Sequence, residues 1–360
     1  MFISALGSIT GKQNRLGLPK VKSACVVLVD GLGSQNLKFR AAHAPFLANQ
    51  LSQDGSTFSG FPSTTVTSLV SFSTGLRAGQ HGMVGYQVYD RAQSTSINLL
   101  TGMMGADQAM HWQPTQTIAE LSGQYEVETF FVGPGEYEKS GFTFATMRGA
   151  TFVAAKSLDD RVREARRLLK EKSSALVYLY VPELDQNAHA FGFKSAQWAQ
   201  KLEDLDLAIK NLVTGLGEKI GVLLTADHGI IDVAHEKQIY LDEFEIPGLE
   251  HVGGDPRVIY LYLSDVNVDD IQESLQAKLG KRVFVATKAQ LIEAGWYGPV
   301  EGFATERLPE LILISLGETA LYHRDFAKPK SLQMIGQHGS ISDEEITIPL
   351  LKFCGYSKKN

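Results

Sequence analysis

The stretch Ala24-Cys25-Val26-Val27-Leu28-Val29 runs straight into Asp30-Gly31-Leu32-Gly33. Six consecutive apolar, mostly β-favouring residues ending in Asp-Gly describe a strand buried on both faces of a parallel sheet. The acid then stands at the C-terminal edge of the strand, where open α/β sheets keep their sites. Two further runs repeat the pattern. Ala175-Leu176-Val177-Tyr178-Leu179-Tyr180-Val181 ends at Pro182, and Ile220-Gly221-Val222-Leu223-Leu224-Thr225-Ala226 runs into Asp227-His228-Gly229. Apolar spacing predicts helices over 41–53, 158–173 and 195–214, and alternation predicts a strand over 125–132. Strands alternating with helices give an α/β fold, a mainly parallel sheet sandwiched between helices.

From 239 to 307 the rhythm changes. Val258 to Leu263 alternates aromatic and aliphatic residues, a short helix follows at 269–279 and a short strand at 282–286. This reads as a small α+β insert near the site, between core segments 1–238 and 308–360. Leu311-Ile312-Leu313-Ile314-Ser315 is expected to return to the core sheet, and a helix is expected near Pro349. The tyrosines of the insert, with Trp296 and Tyr297, either cap the site and stack a base or form the insert's own core.

Of 360 residues, 44% are hydrophobic and 21% charged, an ordinary globular balance. A formal net charge of −6 provides no electrostatic footprint for long DNA or RNA. Cys25 and Cys354 form no disulfide framework, and Cys25 reads as a small buried hydrophobe. No run approaches a membrane span, and the first twenty residues carry no apolar core of signal-peptide length. The expectation is a cytoplasmic protein, provided that Met1 is the native start.

The chemistry-bearing residues fall at predicted strand and loop ends. Asp30 follows the first buried strand. Asp185 and His189 follow the second at a spacing of four, which puts both on one face of a helical turn. Asp227 and His228 follow the third, and Gly229 permits the break that lets both reach one site. His338 lies in a glycine-flanked turn, Gly336-Gln337-His338-Gly339. Three Asp and three His suit zinc, which takes oxygen and nitrogen ligands about four at a time, so with one hydroxyl they fill two sites. A metal pair can stabilise both the attacking and the leaving oxygen of an in-line displacement at phosphorus. A metal also lowers the pKa of a bound hydroxyl, which turns a weak threonine into a nucleophile. The hydroxyls crowd at Phe61-Pro62-Ser63-Thr64-Thr65-Val66-Thr67-Ser68. His43, His81, His111, His235, His251 and His323 are read as surface or structural residues, with His81 and His251 the two to watch.

In order and rough spacing, Val29-Asp30-Gly31, the Phe61 to Thr65 stretch, Thr74-Gly75-Leu76, His81-Gly82, Asp185 with His189 and Gly192, Ala226 to Gly229, and His338-Gly339 match a known pattern. Over residues 24 to 355 the sequence resembles the nucleotide pyrophosphatase/phosphodiesterase branch of the alkaline phosphatase superfamily. The resemblance implies an alkaline-phosphatase-like fold, two zinc ions and a threonine nucleophile. It implies one metal held by Asp185, His189 and His338, and another by Asp30, Asp227, His228 and the nucleophile's hydroxyl. The family's nucleophile lies three residues after the proline, which falls on Thr65, with Thr64 the alternative. The same register puts Ser68 where the family has an asparagine donating to a phosphate oxygen, and a serine offers one donor in place of two.

The implied reaction is hydrolysis of phosphate diester or pyrophosphate bonds through a phosphothreonine, on a small phosphate ester such as a nucleotide. The alternatives are a phosphomonoesterase or phosphonate hydrolase of the same superfamily, and a non-catalytic metal-binding module. The leaving group, the native metal and the oligomeric state are not written in the sequence.

Overall fold

The computed structural model describes residues 1–357. The strands of its two larger sheets, in chain order, are β1 (Ser23–Val29), β2 (Ser56–Phe58), β3 (Glu128–Gly133), β4 (Thr151–Ala154), β5 (Ala175–Val181), β6 (Ile220–Thr225), β7 (Leu249–Asp255), β8 (Val258–Leu263), β9 (Val283–Thr287), β10 (Leu311–Ser315) and β11 (Thr347–Cys354). The main sheet has the order β2-β11-β6-β1-β5-β3-β4. The five strands from β6 to β4 are parallel, and β11 and β2 extend one edge antiparallel. The expected α/β sandwich is therefore the fold.

The unbroken apolar run of β1 has its cause in the layers. Ala24, Val26 and Leu28 enter the core on one face of the sheet, and Cys25, Val27 and Val29 enter the core on the other. Strand β5 divides in the same way, with Leu176, Tyr178 and Tyr180 on the first face and Val177, Leu179 and Val181 on the second. Helices Leu158–Glu171 and Ala196–Val213 cover the second face, each opened by a serine whose side chain accepts a backbone N–H of the first turn.

Two expected elements differ. Leu311–Ser315 does not return to the main sheet; β10 is an inner strand of a second, antiparallel sheet ordered β7-β8-β10-β9. Ile312 and Ile314 face the core of the main sheet, while Leu311 and Leu313 face a separate cluster under helix Val268–Leu279. Both faces of the strand are buried, as in a core strand, so its composition could not tell the two sheets apart. Residues near Pro349 are not helical. Pro349 lies within β11, at the changeover between its two partners: it is opposite Ser56 of β2, and Leu350 opposite Thr225 of β6. A proline is tolerated at such a boundary in the ladder. The expected core segment 308–360 ends on three residues outside the described part.

Trp296 and Tyr297 pack edge-on against Phe61, with ring centroids 4.8 and 5.4 Å away. They belong to the core shared by the two sheets, and neither lines a cavity at the site. Among the described residues no helix is long and apolar enough to cross a membrane.

Candidate metal centre

The three acids stand beyond the C-terminal ends of β1, β5 and β6. Asp30 directly follows β1, Asp185 lies in the first turn of helix Glu183–Phe191, and Asp227 comes two residues after β6. Gly31 adopts a left-handed φ of 73°, and a Cβ there would come within 3.0 Å of Asp185, so only glycine lets the two loops approach. Gly229 makes room in the same way: a Cβ would fall 1.9 Å from the Glu344 carbonyl. His338 arrives from far along the chain because Gly336–Gln337 pairs antiparallel with Ile231–Asp232, just past His228.

Two groups result. Asp185, His189 and His338 each offer a ligand atom within 4.8 Å of the others, and so do Asp30, Asp227 and His228. The rings of His228 and His338 stack at 3.6 Å, so the two groups adjoin. These are the six aspartates and histidines singled out as ligands in the sequence, the seventh being the threonine hydroxyl.

Each histidine is oriented by its other nitrogen. Nδ1 of His189 lies 2.7 Å from the Gly336 carbonyl, that of His228 3.1 Å from the Gly229 carbonyl, and that of His338 3.1 Å from the Ser63 carbonyl. A carbonyl can only accept, so each Nδ1 carries the proton and each Nε2 presents a lone pair. The carboxylates are similarly half-committed. Asp30 Oδ2 accepts from the Tyr180 hydroxyl, and Asp227 Oδ1 accepts from the backbone of Gly31 and His228. Asp30 Oδ1, Asp227 Oδ2 and Asp185 Oδ1 are buried and have no hydrogen-bond partner.

Such an arrangement is electrostatically unfavourable by itself. Burial pushes the Asp30 carboxyl well above its usual range, and the neighbouring Asp227 and Asp185 add to the effect. Burial also raises Asp227, and Asp185 adds to it. His338 is driven well below its ordinary value, first by burial and then by His228 and His189. Orphaned carboxylate oxygens and imidazole lone pairs converging in a buried space are what a divalent cation would satisfy, so the donor set fits metal.

Thr65 is the first residue of helix Thr65–Thr74, and its Oγ1 lies 3.1 Å from His228 Nε2. The other hydroxyls of the cluster are committed elsewhere. Thr64 is the helix N-cap and accepts from the Thr67 N–H, Thr67 donates to the Met83 carbonyl, and Ser63 donates to the Ser340 carbonyl. Ser68, expected at a phosphate oxygen, has its Oγ 3.0 Å from Ser59 Oγ and is not among the residues lining the cavities at the site.

Two cavities open onto the centre, and Thr65, Leu100 and Asp185 border both. One, of about 650 Å³, is walled by apolar side chains including Leu69, Phe72, Met103, Phe131 and Phe142. The other, of about 350 Å³, adjoins His189 and His338 and holds Tyr86, Asp255 and His323. His323, read from the sequence as a surface or structural residue, lines this cavity. His81, one of the two histidines to watch, is structural: fully buried, it accepts the Met83 N–H at Nδ1 and reaches Ser71 Oγ at 2.9 Å. His251 stacks on Tyr89 at 4.8 Å, away from the ligand groups.

A parallel sheet with two adjoining Asp/His groups beyond its C-terminal edge, and a hydroxyl on the histidine of one of them, has the donor set of a candidate metal centre of the hydrolase type. The sequence profile of the type I phosphodiesterase / nucleotide pyrophosphatase family matches residues 24–341, and the chain belongs to that family. It is 25% identical over 251 residues to an uncharacterized pyrophosphatase/phosphodiesterase of Schizosaccharomyces pombe, covering 67% of this chain and 49% of that protein. It is 24% identical over 192 residues to human ectonucleotide pyrophosphatase/phosphodiesterase family member 1, covering 51% of this chain and 20% of the relative. The chain thus spans about half or less of the length of these curated relatives. Among solved structures, murine ectonucleotide pyrophosphatase/phosphodiesterase 5 superposes with a TM-score of 0.73 at 18% identity, over 92% of this chain and 88% of that one. An inactive variant of the same murine protein, solved with AMP, superposes with a TM-score of 0.73 at 17% identity over the same shares.

Proposed function

We propose that the protein is a two-metal hydrolase of phosphate diester or pyrophosphate bonds that works through a phosphothreonine at Thr65. The observation that carries this reading is the Thr65 hydroxyl, 3.1 Å from His228 Nε2 at the meeting of the two ligand groups. Asp185, His189 and His338 would hold one cation, and Asp30, Asp227 and His228 the other. Two divalent cations, for which three carboxylates and three imidazoles best suit zinc, would supply the charge that lowers the pKa of the Thr65 hydroxyl and is needed at the phosphoryl and leaving oxygens.

The chain's own residues do the rest. The Thr65 hydroxyl releases its proton to solvent as its oxygen forms a bond to phosphorus and the bond from phosphorus to the leaving oxygen breaks, and the departing alcohol or phosphate takes a proton from solvent. Water then cleaves the phosphothreonine and restores the hydroxyl, releasing a phosphate monoester. The N-terminal end of helix Thr65–Thr74 favours the anionic phosphoryl group beside it. The larger cavity suits a flat aromatic moiety, and the AMP complex of the structural neighbour supports a nucleotide as substrate.

The test is turnover of bis-p-nitrophenyl phosphate against p-nitrophenyl phosphate by the purified protein. Faster release from the diester, lost on chelation and restored by zinc, is the expected result. A reversed preference would assign a monoesterase, and no turnover of either with both metals bound would assign a non-catalytic metal protein.

A further inference from the structure

The smaller cavity contains a carboxyl that the reaction outlined above does not use. Asp255 ends β7 and is 9% exposed, and its Oδ2 is buried with no hydrogen-bond partner. Across the same cavity His323, also 9% exposed, has its Nδ1 buried without a hydrogen-bond partner; the Asp325 carboxylate is 4.0 Å from it. Buried polar groups are nearly always satisfied, so two unpartnered polar atoms on residues that line one cavity point to a ligand there.

The carboxyl is held rigidly. Asp255 pairs with Val258 across the β7–β8 hairpin, and Arg257 within that turn is fully buried on Glu345. Its backbone is therefore not free to carry the side chain to another partner. Burial, with a contribution from Asp185, raises the carboxyl to about 8.

Position assigns the ligand to one half of the substrate. Thr65 and Asp185 border both cavities, but His189 and His338 line only the smaller one and Asp30 only the larger, and the Thr65 hydroxyl reaches His228 of the Asp30 group. In an in-line displacement the leaving oxygen departs opposite the attacking one, away from Thr65. Both cavities mix apolar and polar walls: the larger carries the aromatic rings of Phe72, Phe131 and Phe142 beside Glu136 and Lys139, whereas the smaller presents Asp255, His323 and Tyr86, with exposed Lys328 and Lys330 also on its wall.

We propose that the smaller cavity receives the leaving group, and that Asp255 recognises on it a hydrogen-bond donor, a hydroxyl or an amine, with His323 as a second polar contact. The substrate would then be a diester of asymmetric character, an apolar or aromatic alcohol on one side and a polyol or amino alcohol on the other. The proposal rests on the phosphodiesterase reading for its reaction, but not for its binding.

Three esters of 5′-AMP test it: ethyl, 2-hydroxyethyl and 2-aminoethyl. In the metal-loaded wild type, kcat/KM for the hydroxyethyl ester should exceed that for the ethyl ester by about fivefold, and for the aminoethyl ester by about tenfold or more. In Asp255→Leu these ratios should fall to about one. A parallel measurement needs no turnover: calorimetric binding of 2-aminoethylphosphonate and 2-hydroxyethylphosphonate against ethylphosphonate, in both proteins. Selective binding without turnover of any ester sinks the phosphodiesterase reading and keeps the subsite. Equal handling of all three by the wild type, in turnover and in binding, overturns the subsite, and that comparison stands even if the variant fails to fold. Selectivity that survives in Asp255→Leu overturns the role of Asp255.

Discussion

Arg257 and Glu345 are both fully buried and meet in a bidentate pair, Nε to Oε1 at 3.0 Å and Nη2 to Oε2 at 2.7 Å. The pair joins the second sheet to the loop that carries His338. Glu345 Oε1 also accepts the Ser340 N–H at 2.9 Å, the Ser340 carbonyl accepts from Ser63 Oγ at 2.6 Å, and the Ser63 carbonyl receives His338 Nδ1. One chain of hydrogen bonds thus connects the hairpin bearing Asp255, the metal-ligand candidate His338 and the loop before Thr65. Removing one partner of a buried pair strands the other charge, at a cost of about 3–5 kcal/mol. Arg257→Met should lose stability on that order in a denaturant titration. It should also lower metal occupancy by elemental analysis, because the His338 loop loses its anchor. Full occupancy in a stable Arg257→Met would detach the pair from the site.

Thr64 and Thr65 are adjacent hydroxyls with different partners. Thr65 faces His228, while Thr64 caps the helix at 3.5 Å from the Thr67 N–H. Thr65→Ala should abolish turnover and leave metal content intact, and a variant that still turns over would remove the nucleophile assignment. Thr64→Ala should instead cost about 1 kcal/mol of stability through the lost cap, with turnover retained.

Ser68 shares its hydrogen bond with Ser59, whose hydroxyl in turn donates to the Asp227 carbonyl. Ser68→Ala should therefore change kcat/KM on a diester by less than about fivefold, the scale of one neutral hydrogen bond. A loss of a hundredfold or more would put Ser68 back at the phosphate.

The same contrast explains what was legible in the sequence. Asp30, Asp185 and Asp227 could be read because each follows a strand apolar on both faces, and such strands end at the working edge of the sheet. His338 was legible as a donor in a glycine-flanked turn, but its place beside His228 comes from the two-residue pairing of Gly336–Gln337 with Ile231–Asp232, too short to leave a pattern. Asp255 and His323 were missed. Gly253-Gly254-Asp255-Pro256 reads as an ordinary turn, and only the approach of the second sheet to the main one turns that acid toward the metal centre. Register after Pro62 pointed to Thr65 but not to where Ser68 faces, which depends on Ser59 arriving after the short β2 strand.

Metal binding should stabilise the protein more as pH rises. Asp30 and Asp227 hold protons in the metal-free fold above the range in which a free carboxylate would lose them, since both values are raised. Raised acids make the metal-free fold lose stability as pH rises through that window, and a cation that displaces those protons competes best where they are scarce. The gain in Tm on adding zinc to chelator-stripped protein should be larger at about pH 8 than at about pH 5.5. A gain independent of pH would mean that these acids are not the ligands.

Asp255 gives a pH dependence of its own. The unfolded chain ionises this carboxyl near 3.8, the folded chain at about 8. Between those values the folded state holds a proton that the unfolded state has lost, so this group's contribution to stability declines as pH rises, by up to about 1.4 kcal/mol per pH unit. An asparagine holds no such proton. The unfolding free energy of Asp255→Asn, measured relative to wild type in urea, should therefore move in the variant's favour as pH rises from about 5 to about 8. A flat difference over that range would mean that the folded carboxyl ionises at or below its unfolded value, because it is hydrated or because a cation reaches it in solution.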